Sequence, residues 1–215
     1  MSGQLRSTRV TRSWSPRSAT TSISSLRSSA AGFCLPSSAI RCAPIRSPPI
    51  TDWANSTTGL IVDAGCGPGH WSDYLRADDR RVIGIDGSTR FINAACARFP
   101  ETEFRLGDLR ELPCDAGEVD ALLSWYSIIH FDPHDVGGVI AEFARVMRPG
   151  GSLLLGYFEG PAGEDFSHAV SRAYRWDFSS LKVVLNEHGF VVVHNDSRHD
   201  PWSRPHGEII ASRQP

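Results

Sequence analysis

A chain of 215 residues, 40% hydrophobic and 21% charged, is long enough to bury a sizeable core and has the composition of an ordinary folded domain. No apolar run approaches the roughly 18 residues needed to cross a bilayer, so no membrane partner is expected. The net charge of −2 hides an asymmetry: seven arginines and no acidic residue fall in residues 1–50, leaving the rest with 15 basic against 24 acidic residues, a net −9 that argues against nucleic acid as a partner.

The five cysteines (Cys34, Cys42, Cys66, Cys96 and Cys114) are odd in number, scattered, and contain no Cys-x-x-Cys pair. That pattern predicts reduced thiols in a cytoplasmic protein rather than a disulfide framework or a zinc site. Residues 1–58 read differently from 59–215. They are rich in Ser, Thr, Arg and Pro, show no sustained period of 3.6 or 2, and close on Ser47-Pro48-Pro49. Composition suggests a disordered tail, while an acid-free, Arg- and Ser-rich N-terminus also fits an organelle transit peptide. A nucleic-acid arm would interleave aromatics with the arginines, and this segment does not.

At Gly59 the pattern becomes orderly. Gly59-Leu60-Ile61-Val62 is a short apolar run of the kind that forms a buried strand, ending at Asp63. Then comes Ala64-Gly65-Cys66-Gly67-Pro68-Gly69-His70, followed by Trp71, Tyr74 and Leu75 at helical spacing, so a helix is predicted from about His70 to Ala77. Three alternate glycines clear side chains from the turn and permit backbone angles other residues avoid. A helix start behind it would aim N–H groups at a bound ligand. Such a turn suits a flat, polar, nucleotide-like molecule.

The run Asp63-x-Gly65-x-Gly67-x-Gly69 resembles the first motif of class I S-adenosylmethionine-dependent methyltransferases. The dinucleotide fingerprint Gly-x-Gly-x-x-Gly would require glycine at position 70 or 72, where the chain has His70 and Ser72. The resemblance implies a doubly wound α/β fold with a mostly parallel seven-stranded sheet, helices on both faces and a C-terminal antiparallel hairpin. It implies S-adenosylmethionine as cofactor, held in part by Asp63, Gly65, Cys66, Gly67 and Gly69. Relatives also place a helix and substrate-lid residues before this motif. Here the length is present and the pattern is not, so a reading-frame error upstream is a third account of residues 1–58.

Arg81 to Asp86 is a second strand with a carboxylate at its tip, 17 residues past Gly69. A carboxylate there can accept from both ribose hydroxyls of a nucleoside; a helix cap or turn would also use one, as Asp86-Gly87-Ser88 allows. The resemblance assigns Asp86, with Gly87 and Ser88, to the cofactor. Ser88 caps a helix to about Phe99, with Phe91, Ile92, Ala95 and Cys96 along one face. Thr102 to Leu106 is a third strand, followed by Gly107-Asp108-Leu109, and the resemblance assigns Asp108 to the adenine amino group and the Leu109 backbone to the ring.

Val119 to Trp125 is the fourth strand. In doubly wound sheets ligands sit at the carboxyl ends of strands beside the point where strand order reverses, which places Ser124 to His130 against the ligand. Relatives face the methyl group and substrate here, and the Asn-Pro-Pro-Tyr signature of DNA and amide methylation is absent. A helix is predicted from Asp132 to Met147, with Val136, Val139, Ile140, Phe143, Ala144 and Met147 on its apolar face. Arg145-Val-x-Arg-Pro-Gly-Gly151 then turns the chain into a fifth strand, closely resembling the turn before strand five in the same family.

Glu159 to Arg175 is polar and glycine-rich, a long insertion where relatives carry substrate cover, and holds His168. Asp177 begins a helix stopped by Gly189, and Phe190–His194 and Glu208–Ala211 form the last strands around an irregular loop with two prolines. Methyl transfer mainly requires donor carbon and acceptor atom to be held in line. Candidate bases are His130 and His168, the latter equally readable as a packing residue, with Tyr126 as an aligning hydroxyl. His70 reads as packing beside the ligand. Asp132 and Asp135 read as helix-start residues, so no metal is expected. The expected partner is a small-molecule acceptor, with oligomeric state open. A nucleoside-binding protein without turnover and, third, a nicotinamide oxidoreductase are the alternatives.

Overall fold

In the computed structural model, residues 48–76, 79–199 and 201–215 are described. Five short apolar runs form parallel strands: β1 (Leu60–Ala64), β2 (Arg81–Asp86), β3 (Glu103–Leu106), β4 (Val119–Trp125) and β5 (Met147–Phe158). A separate two-stranded hairpin, β6 (Asp165–Ser167) and β7 (Arg172–Tyr174), follows. Then β8 (Phe190–Arg198) and β9 (His206–Arg213) complete a seven-stranded sheet of order β3-β2-β1-β4-β5-β9-β8. β9 lies antiparallel to both β5 and β8. This is the doubly wound arrangement with a C-terminal antiparallel hairpin that the motif order predicts. β1 has β2 on one side and β4 on the other, so strand order reverses between β1 and β4. In that register Val62 stands opposite both Ile83 and Leu122, which brings the tips of β1, β2 and β4 to one level.

Strands covered on both faces lack the apolar–polar alternation of a half-exposed sheet. Along β1, Leu60, Val62 and Ala64 join the cluster containing α4 (Val136–Val146) and α5 (Phe178–Glu187), while Ile61 points to the opposite cluster. That second cluster takes Leu75 from α2 (His70–Arg76) and Ile50, Trp53 and Ala54 from α1 (Pro48–Asn55). The indole N–H of Trp53 donates to Ser152 Oγ at 2.8 Å, tying α1 to β5. Here the structure departs from the irregular segment expected through residue 58: residues 48–55 form a helix whose buried face covers the sheet. Two prolines at its start sit in the first turn, where their missing N–H groups are not required. The expectation for residues 1–47 lies outside the described residues.

Other boundaries shift for local reasons. Thr89–Arg98 forms α3, capped by Ser88, whose side chain accepts from the Phe91 N–H. On its apolar face only Ala95 is buried, and Cys96 is exposed. α4 starts at Val136 rather than Asp132, because Asp132 Oδ1 accepts from the His134 N–H and holds a turn instead. β5 begins at Met147, opposite Val119, and the next pairing is Ser152 with Ala121. Residues 148–151 therefore bulge outward, with Gly150 at φ +76°, and Arg148 pairs with Asp120 at the bulge. No helix among the described residues is long and apolar enough to cross a membrane.

Candidate functional site

The tips of β1, β2 and β4 open onto one cavity of about 850 Å³. Its nearer end is built from backbone and carboxylates. The Gly65 and Cys66 N–H groups donate to the Ile85 carbonyl at 2.7 and 3.0 Å, folding the turn after β1 back over β2. Gly65 has φ +82°, and a Cβ there would stand 2.2 Å from Ser127 Cβ, so both angle and space demand glycine. Gly67, at φ +53°, is different: a Cβ would meet nothing within 4 Å, so its backbone faces open space. Gly69 plays another part than the one expected. It does not line the cavity; its missing side chain lets Phe104 and Ala95 approach, with a Cβ only 2.6 Å from Phe104 Cζ.

Asp86 pins this turn. One carboxylate oxygen accepts from the Gly67 N–H at 2.9 Å and the other from the Ser88 N–H at 2.8 Å. Each oxygen has a second lone pair, so capacity remains for a vicinal diol. Both roles foreseen for this carboxylate, turn and ligand acceptor, are thus compatible in one geometry. Gly87 and Ser88 line the cavity beside it. α2 is only seven residues long, so the binding surface rests on Gly67 and Asp86 rather than on a helix dipole.

Asp63, at the end of β1, is 2% exposed yet lines the cavity. Burial pushes its carboxyl up to about 7, opposed by the Ser72 hydroxyl donating at 2.6 Å and reinforced by the negative Asp86. The adjacent Cys66 thiol is also raised, first by burial and then by those two carboxylates, so it packs as an unreactive group. Asp108 and Leu109 stand at the rim and wall of the same end. The Asp108 carboxylate is bridged by Arg110, through Nε to Oδ1 at 3.0 Å and Nη2 to Oδ2 at 2.7 Å, which holds it below the usual carboxylate range. His70 accepts from Arg98 Nη1 on its Nε2 at 2.8 Å, because a guanidinium only donates. Its pKa falls through burial and the Arg98 charge, and its edge packs on Phe99.

The far end is aromatic. Tyr126 leaves β4 at φ +58°, a left-handed conformation rare for a large side chain. Its N–H donates to the Gly156 carbonyl, and its ring stacks on Phe158 at 4.8 Å and 21°. Phe158 meets Phe166 and His168 at its edges, and His168 lies 5.2 Å from His130. The residues proposed for catalysis, scattered over 43 positions of chain, therefore gather at one end of the cavity. The 3-10 turn Ile128–His130 presents His130, and the tip of the β6–β7 hairpin presents His168. His130 Nδ1 is 3.0 Å from the Arg172 carbonyl and 2.9 Å from Ser171 Oγ, whose own proton reaches the same carbonyl at 3.3 Å. A carbonyl only accepts, so Nδ1 carries the proton and Nε2 keeps a lone pair. His168 Nδ1 accepts from the Val170 N–H at 3.4 Å, which puts its proton on Nε2; burial, then His130 and Arg204, lower its pKa.

Ser124 is not where the reading placed it. It is fully buried behind the cavity. The Ser127 hydroxyl donates to the Ala64 carbonyl at 2.7 Å, so Ser124 must donate to Ser127 Oγ, also at 2.7 Å. Of these two serines, Ser127 is the one that lines the cavity. Sequence reasoning also missed Phe131 and Phe158. The rule that pointed to the end of β4 would have found Phe158, since β5 runs parallel beside β4 and ends at the same edge, two residues past the Trp125–Gly156 pairing. Among the described residues no group of three or more His, Cys, Asp or Glu side chains is placed to hold a metal ion.

Comparison with known proteins agrees with the doubly wound sheet. Residues 61–151 match the family described as a methyltransferase domain. A malonyl-[acyl-carrier protein] O-methyltransferase of Yersinia pestis is 36% identical over 99 residues, covering 46% of this chain and 36% of that relative. The curated relatives first matched are thus spanned over 36% of their length. Among solved structures, an S-adenosylmethionine-dependent methyltransferase of Methanosarcina mazei superposes with a TM-score of 0.69 at 20% identity, over 77% of this chain and 97% of that one. A 1,6-didemethyltoxoflavin-N1-methyltransferase of Burkholderia thailandensis, solved with bound 1,6-didemethyltoxoflavin and S-adenosylhomocysteine, gives 0.67 at 21% identity, over 79% of this chain and 77% of that one.

Proposed function

We propose that this chain, whose residues 61–151 match the methyltransferase domain family, is an enzyme transferring a methyl group from S-adenosylmethionine to an O, N or C atom of a small-molecule metabolite. The observation that carries the reading is one cavity with two chemically distinct ends, bare backbone with carboxylates at one and aromatic rings with two histidines at the other. S-adenosylmethionine, when bound, supplies a methyl group on a sulfonium with a good leaving group already attached.

The chain's task is then to bind, orient and manage one proton. The open backbone at Gly67 admits a nucleoside, and the remaining lone pairs of Asp86 suit its ribose hydroxyls. Leu109 and Phe91 offer apolar surface to a base, beside Asp108 at the rim. Asp63, half ionised near neutrality, gains charge when a cation comes near. Holding the acceptor in line at close approach can lower the barrier by several kcal/mol, on the order of 7–11 for ideal orientation. Tyr126 and Phe158 set the plane of the acceptor, His130 Nε2 can take its proton, and the His168 Nε2–H can steady the acceptor atom. A cytoplasmic site of action belongs to the same reading, supported by three unpaired cysteines among the described residues.

Calorimetric titration with S-adenosylmethionine and S-adenosylhomocysteine tests the donor end. Both should bind, and Gly67→Val should remove binding while circular dichroism still reports the fold, because its side chain would project into the space the nucleoside needs; at φ +53° it also strains the turn, so the variant should be less stable than the parent. Full affinity in that variant would contradict the assignment.

A further inference from the structure

The acceptor end is more specific than a general small-molecule pocket. Its walls are flat rings: Tyr126 and Phe158 in parallel stack, Phe131 and the two imidazoles beyond, and Trp125 edge-on to Tyr126 at 5.1 Å. Stacked and edge-on aromatic pairs reward a further ring over a flexible chain, because the quadrupoles align and little ligand entropy is lost. Charge narrows the class further. Among the described residues lining the cavity none is Lys or Arg, and Asp63 and Asp86 place negative charge at the other end. Arginines stand behind the walls: Arg175 and Arg204 lie over the Phe166 ring at 5.2 and 4.5 Å, and Arg110, paired with Asp108, lies 5.9 Å from the Phe131 ring, but none of the three lines the cavity. A carboxylate or phosphate acceptor would find no cationic side chain in the lining to pair with it directly, which disfavours burying its charge there. A neutral acceptor needs a base instead, and the Nε2 lone pair of His130 is fixed by the Nδ1–H bond to the Arg172 carbonyl.

We propose that the acceptor is a planar aromatic or heteroaromatic ring bearing a neutral hydroxyl, seated against the Tyr126–Phe158 stack and deprotonated by His130. This rests on the methyl-transfer reading above. The bonds balance: the hydroxyl O–H bond breaks and its proton goes to His130 Nε2, the O–CH₃ bond forms, and the S–CH₃ bond breaks with its electron pair left on sulfur. The products are an aryl methyl ether and S-adenosylhomocysteine, and the imidazolium returns its proton to water.

The test separates the two layers. The full chain is first titrated with S-adenosylhomocysteine; failure to bind overturns the methyl-transfer reading and this proposal with it. The saturated complex is then titrated with 1-naphthol, octanoate and cyclohexanol. The expected result is saturable 1-naphthol binding at least tenfold tighter than either competitor, weakened about tenfold in Phe158→Ala with S-adenosylhomocysteine affinity unchanged. Phe158→Leu keeps the volume without the ring and should show the same loss if the Ala variant does not fold. With S-adenosylmethionine, mass spectrometry should find the naphthyl methyl ether. In His130→Ala 1-naphthol affinity should stay within threefold while ether formation falls about 100-fold or more, the range for removal of a general base. Tight S-adenosylhomocysteine binding with octanoate or cyclohexanol preferred, or 1-naphthol affinity indifferent to Phe158, would overturn the acceptor assignment alone.

Discussion

The two ends of the cavity are made of different material. The donor end is backbone: the Gly65 and Cys66 N–H groups on one carbonyl, the Gly67 N–H on Asp86, and a carboxylate buried at the end of β1. The acceptor end is side chain: rings and imidazoles brought from β4, the end of β5 and the β6–β7 hairpin. Backbone positions are set by strand register, which every member of such a sheet shares. Ring positions are set by loops, which vary freely while the sheet stays the same. The first end should therefore be rigid and intolerant of change, and the second adaptable.

Asp63 offers the largest test of that contrast. Its pKa, raised by burial from 3.8 to about 7, means the unfolded chain loses this proton near pH 4 while the native chain keeps it until about 7. Between those values the native state binds more protons, so stability falls as pH rises, by up to about 4 kcal/mol at roughly 1.4 kcal/mol per unit. Asp63→Asn should abolish that fall, leaving the variant more stable than the parent at pH 8 and similar near pH 4, as measured by denaturant unfolding across pH. A parallel pH profile in both proteins would show that Asp63 is not held as described. Loss of the turn's anchor comes next. Asp86→Ala strands the Gly67 and Ser88 N–H groups and removes the diol acceptor, so S-adenosylmethionine affinity should drop by about 1–3 kcal/mol.

Smaller effects sharpen the boundary between the ends. Ser124→Ala removes one buried hydrogen bond behind the cavity and should cost about 1 kcal/mol of stability while leaving donor affinity unchanged; weaker cofactor binding would restore the direct role the sequence suggested. At Tyr126 the ordinary ranking of alanine over glycine should reverse. Both substitutions lose the ring stack, but only alanine keeps the strain of φ +58°, so Tyr126→Gly should unfold at higher denaturant than Tyr126→Ala, by about 1 kcal/mol.

The same contrast explains how much was legible beforehand. The strands β1, β2 and β4, the Asp86 tip and the Gly65–Gly67 turn could be read directly, because each is a local pattern of apolar run, glycine and carboxylate. Ser124 and Gly69 were assigned to the ligand from their place in a motif, yet which side of a strand tip a residue faces depends on partners far along the chain, Ser127 for one and Phe104 for the other. The meeting of His130 with His168 had no sequence signal, since a hairpin 38 positions away supplies the second ring. α1 was missed because eight residues with two prolines carry too little periodicity to stand out. It is the sheet beneath, not the helix's own preference, that holds Trp53 in place.

The excursion bearing His168 leaves and rejoins the body where Glu159 bridges to Trp176. Between the two sides of that clasp it is held by the Arg172 carbonyl and Ser171 hydroxyl at His130, by Arg204 donating to the Ser167 carbonyl, and by Ala173 buried in the core. A descendant could therefore exchange this one appendage for another of different length or polarity and acquire a new clientele, while the nucleoside cradle, built on strands far from the clasp, would go on as before.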